Sequence, residues 1–168
     1  MTDAGPGRAG RKTEQAGGSG RSVRVFYPDW EMECCGTPFS VGDEIAWTLV
    51  HEDVAPGDAA VWADCLDERG RLRVATRHGP APEKGSGAPV VAGRVRSIQV
   101  VMAGYRAGER VPGERWLRPV ERCPKWFARR VTAEPEAAPG AGPGDRSYHR
   151  DECGVIVEVA VARGRCEP

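Results

Sequence analysis

The side chains best suited to chemistry are two adjacent thiols, Cys34 and Cys35, and the pair His149 and Cys153 at H-x3-C spacing. Zinc takes thiolate and imidazole ligands in a tetrahedron, and H-x3-C spacing suits two ligands delivered from one turn, so these four form the candidate metal set. Adjacency counts against it: neighbouring side chains of an extended chain point apart, and no C-x2-C loop is present. The alternative chemistry is a thiol-dependent enzyme or a redox sensor using Cys34 or Cys35. That requires a base and an orienting group beside the sulfur, and the histidines on offer are His51, His78 and His149. No G-x-S-x-G, P-loop, G-x-G-x-x-G or H-E-x-x-H pattern occurs, so no catalytic residue is assigned and zinc is the one cofactor considered.

A second set points to single-stranded nucleic acid, which small barrels carry on faces that mix basic and aromatic groups. Arg94 and Arg96 flank Val95, and Arg118, Arg122, Lys125 and Trp126 follow in the same half of the chain. The competing reading comes from the charge pattern. Residues 29–68 hold 11 acidic side chains and no Lys or Arg, whereas 94–130 hold 10 basic against 3 acidic, and the formal net charge is zero. Neutrality favours two segments that face each other over two patches offered to partners.

These residues need elements to position them. Residues 22–27 alternate, as do 44–50, where Ile45, Trp47 and Leu49 share a face, and 71–78. The longest β-like run is 90–102, with Gly93 as a bend; 116–120 reads as a short edge strand because Pro119 has no amide to donate. Residues 104–116 read as irregular, and 154–161 alternate valines as a strong strand. The one helix expected is 58–69, capped by Asp58, stopped by Gly70, and closing one end of the fold. The core is expected from Val23, Val25, Ile45, Trp47, Leu49, Val95, Ile98, Val155, Val157 and Val159.

Five or six strands with one short helix predict a mainly β protein, a small, partly open barrel of SH3-like or OB-like type; an α+β sandwich is the alternative. The 168 residues divide into a disordered tail (1–21), a single β-rich domain (22–162) with low-complexity loops near 79–89 and 134–146, and a C-terminal tail (163–168). No apolar run reaches membrane-spanning length and no secretory h-region is present, so the expectation is a cytoplasmic protein without a membrane partner.

The segment from Trp30 to Trp47 carries the pattern W-x3-CCG-x-PF-x-VGD-x3-W: Trp30, Cys34-Cys35-Gly36, Pro38-Phe39, Val41-Gly42-Asp43 and Trp47. It resembles a family of small uncharacterised actinobacterial proteins, a domain of unknown function. Weaker echoes lie in Arg77-His78-Gly79, in 93–98 and in the terminal valine strand. The resemblance implies one domain spanning roughly 23–161 and transfers no activity, cofactor or partner. The function expected is therefore a cytoplasmic binding or interaction module, its partner a protein or single-stranded nucleic acid.

Overall fold

The computed structural model describes residues 21–76, 89–131 and 148–161. The segments expected as tails and loops lie outside the described residues, save Arg21 and Pro89. Six strands form one sheet: β1 (Ser22–Pro28), β2 (Glu44–Glu52), β3 (Leu72–Thr76), β4 (Val90–Arg106), β5 (Glu109–Val120) and β6 (Tyr148–Val161). Their order is β2-β3-β1-β6-β4-β5, and a further β2–β4 pairing closes the first five into a ring, with β5 outside it. Closure depends on β4, whose 17 residues are enough to pair with β2 at one end while running along β6 and β5. The ring is mixed, since β1 and β3 run parallel and the other pairs are antiparallel. The protein is thus a small β-barrel, closed rather than partly open.

Alternation sets the two layers. Val25 and Tyr27, Trp47 and Leu49, and Val155, Val157 and Val159 point into the barrel with Val95, Ile98 and Val100. Val23 and Ile45 pack partly buried against this core, so every residue of the expected core list contributes. Val95 and Ile98 are three apart and would face opposite ways on a regular strand. A register shift between Val95 and Ser97 restores both to the inside. The bend expected at Gly93 sits where β4 meets β2 and β6 together, opposite Ile45 and Val161. A Cβ there would lie 2.0 Å from the Ala160 carbonyl oxygen, so only glycine permits this approach.

Four local expectations are corrected. Residues 58–69 are not one helix: α2 covers Ala59–Trp62, a 3-10 turn follows over Ala63–Cys65, and Leu66 already bridges to Leu72. Asp58 makes no side-chain cap; its carboxylate accepts from Arg110 (2.6 Å) and from the Gly113 amide (2.8 Å). Nor does this segment close the barrel. Trp62 and Cys65 cover the outer face of the sheet, against Leu72, Val74, Val101 and Ile156. The stretch read as irregular, 104–116, is a hairpin joining β4 to β5 through Ala107 and Gly108, both at positive φ (51° and 87°), the conformation that two-residue hairpin turns require.

The end of the barrel is closed instead by a helix that periodicity did not reveal, α1 (Asp29–Cys35). Glu31 and Met32 are fully buried beneath it. Asp29 and Glu31 lie in its first turn, where the helix dipole favours negative charge. The backbone turns extended at Gly36 (φ −68°, ψ 147°) and ends it, and glycine is needed there because a Cβ would lie 2.6 Å from the Met32 Cα.

Candidate functional site

Helix α1 and the strap that follows β5, residues 121–131, together form the capped end of the barrel. The helix has no basic residue in its last turn. The missing cation arrives from the strap: Lys125 Nζ donates to the carbonyls of Met32 (2.6 Å) and Gly36 (3.1 Å). On the strap, the Phe127 amide donates to Glu33 Oε1 (3.1 Å) and the Cys123 amide to the Phe39 carbonyl (2.8 Å). Beyond Phe127, the Ala128 amide meets Glu152 Oε2 at 2.8 Å, and Arg129 reaches Asp29 at 2.6 Å and Glu33 at 3.4 Å. Cys123 and Phe127 drop into the barrel core as plugs.

Between these anchors Trp126 stands 71% exposed, and Trp30 on α1 is 54% exposed. Lys125 Nζ lies 5.5 Å from the centroid of the Trp126 ring, within cation–π range. A large aromatic held in water on a backbone pinned from both sides is the informative departure from ordinary burial here. On the opposite side of α1, buried Glu31 accepts a hydrogen bond from the Thr76 hydroxyl at the end of β3. This contact ties the helix to the barrel wall.

The four candidate metal ligands are not brought together. Cys34 and Cys35 are exposed in the last turn of α1, and Cys34 shares the face of Trp30 one turn earlier. His149 and Cys153 lie within strand β6, not a turn. Four residues along a strand span roughly 13 Å, too far for two ligands of one ion. His149 stacks on Tyr105 with ring centroids 5.6 Å apart, and Cys153 turns towards the Val101 carbonyl. Among the described residues no three His, Cys, Asp or Glu side chains are grouped to hold a metal ion. His78 lies outside the described residues. Burial pushes the thiols of Cys65, Cys123 and Cys153 up to about 12, which keeps all three protonated and poor as nucleophiles near neutral pH.

The basic candidates are dispersed, and much of their charge is answered within the chain. Arg94 pairs with Glu44 at 3.0 Å, Arg118 with buried Glu152, and Lys125 with the α1 carbonyls. Arg96 and Arg122 are exposed, with no carboxylate in ion-pair range among the described residues. Arg110 with Asp58 and Arg115 with Asp64 extend the pattern, so ion pairs join the acidic 29–68 segment to the basic 94–130 segment at several points. Sequence reasoning singled out Trp126 and Lys125 but missed Glu33 and Arg129, which pin the strap to α1, and Glu31, which ties α1 to the barrel wall. The acidic first turn after Pro28 and the stop at Gly36 were the signals for α1.

No helix among the described residues is long and apolar enough to cross a membrane. Neither the curated proteins nor the solved structures contain a match to the chain. Across residues 21–161, a span that takes in all six strands and the capped end, the chain matches, and so belongs to, DUF6578, a family of unknown function.

Proposed function

We propose that this protein is a protein-binding module whose recognition surface is the capped end of the barrel, with Trp126 as its central anchor and Trp30 displayed on α1 at the same end. The observation that carries the reading is the 71% exposure of Trp126 on a strap held by Cys123, Lys125, Phe127 and Ala128. Tryptophan is enriched among the residues that dominate interface energetics. A side chain displayed on a fixed backbone loses less entropy on association than one on a mobile loop. A protein partner is favoured over single-stranded nucleic acid because Lys125, 5.5 Å from the indole, is already engaged by carbonyls at the end of α1, and Arg129 further along the strap by carboxylates of α1. Phosphate binding draws on cations free to replace counterions. A reducing, cytoplasmic setting fits Cys65 and Cys123, which serve as buried thiols packed in the two cores.

The test is a photoreactive amino acid placed at position 126 in the host cell, with the same group at exposed position 69 as control. The expected result is one protein crosslinked in quantity from position 126 and absent from position 69. Crosslinks to nucleic acid, or equal crosslinking from both positions, would overturn the reading.

A further inference from the structure

At the end of the barrel opposite α1, we propose a binding site for a phosphate-bearing small molecule. Parallel pairing brings the N-terminal ends of β1 and β3 to the same end of the barrel. There Arg21, Ser22, Val23 and Arg24 of one strand, Arg73 of the other and Asp64 of the 3-10 turn line a groove of about 280 Å³. Phosphate and part of an attached organic group fit that volume.

The charge in this groove is unbalanced. Arg24 pairs with Asp64 at 2.8 Å and reaches Glu158 at 3.7 Å. Arg115 approaches Asp64 from the other side at 3.4 Å and packs its guanidinium 5.1 Å from the centroid of the Trp62 ring. Burial alone would push Asp64 upward, but the hydrogen bond from Arg24 and the charge of Arg115 hold its carboxyl below the usual range. Asp64 is therefore a fully ionised, already neutralised member of the lining. Arg21 and Arg73 have no carboxylate within ion-pair distance among the described residues. Four arginines thus face two carboxylates, and the surplus sits on Arg21 and Arg73, both of which belong to the groove lining. Guanidinium groups bind phosphate through paired N–H donors, and the Ser22 hydroxyl adds a donor at the same rim. Beyond Arg73, an adjoining groove of about 220 Å³ is lined by Asp67, Glu68 and Arg69. Its carboxylates bound the positive field on that side and confine an anion to the Arg21–Arg73 groove.

The experiment is a calorimetric titration of the full chain with inorganic phosphate and with pyrophosphate at low ionic strength. Wild type is compared with Arg21→Gln, Arg73→Gln and, as an exposed arginine elsewhere, Arg94→Gln. Circular dichroism confirms that each variant is folded. Saturable binding is expected, weakened about tenfold by Arg21→Gln and by Arg73→Gln and unchanged by Arg94→Gln. Pyrophosphate should bind more tightly than phosphate. The proposal is overturned if binding does not saturate, or if Arg94→Gln weakens it as much as the groove variants do.

Discussion

Replacing Lys125 by methionine keeps the length and apolar stem of the side chain and removes its charge and donors. In the native fold that ammonium bonds to the carbonyls of Met32 at 2.6 Å and Gly36 at 3.1 Å. It is the cation at the C-terminal end of a helix whose own last turn contains none. A hydrogen bond to a charged group contributes about 1.5–3 kcal/mol, and a cation at a helix C-terminus about 0.3–1 kcal/mol. Lys125 is only half-buried and the released carbonyls can take up water. The loss should therefore fall near the low end, about 2 kcal/mol. For a domain of this size that lowers Tm by roughly 6–8 °C. Thermal unfolding followed by far-UV circular dichroism reads the shift, and the Trp126 indole resonance in an NMR relaxation experiment reads the freedom of the strap. The Lys125→Met variant should show both a lower Tm and a less ordered indole. A Tm within about 1 °C of wild type, with the indole equally ordered, would refute the claim that Lys125 clamps helix to strap.

Other consequences follow from the barrel and its thiols. Gly93→Ala would place a methyl 2.0 Å from the Ala160 carbonyl at a φ of +155°, so the β4–β6 ladder must shift and stability should fall by about 3 kcal/mol or more. A urea titration showing a loss under about 1 kcal/mol would contradict the described closure. With a thiol reagent at pH 8, exposed Cys34 and Cys35 should react in the folded state, whereas Cys65, Cys123 and Cys153 should wait for unfolding. Those three thiols are pushed up to about 12 in the folded protein against about 8.5 in an unfolded chain. Their contribution is complete below about pH 8.5 and is lost as pH rises towards 12, because the unfolded chain alone gains by ionising. Stability measured across that window should decline; a flat profile would refute the burial of these sulfurs.

How far the sequence reveals this molecule depends on the range of the forces involved. The inward residues of β1, β2 and β6 were legible because one buried face imposes strict alternation, as in Val155, Val157 and Val159. Helix α1 was not, because seven residues are too few for a helical period to emerge. It is held by contacts remote in sequence, Thr76 on Glu31 and Lys125 on Met32. The same blindness misplaced His149 and Cys153. Their spacing suits a turn, but pairing with β4 draws them into a strand, where four residues mean distance and not proximity. The β4–β5 hairpin was hidden by Pro112, Gly113 and Pro119, which read locally as breakers yet sit on the outermost strand, where a missing ladder bond is tolerated. Trp126 and Lys125 were visible as residue types. Which cations near them stay free was not, since that depends on carboxylates folded in from elsewhere.

The pinned, exposed Trp126 is proposed to anchor a protein partner. The most direct measurement is the affinity of the partner crosslinked at position 126 for wild type and for Trp126→Ala, the variant being shown folded by its unchanged Tm. A loss of about 2 kcal/mol, roughly thirtyfold in Kd, is expected, as for an interface hot spot. A Kd within about threefold of wild type would contradict it.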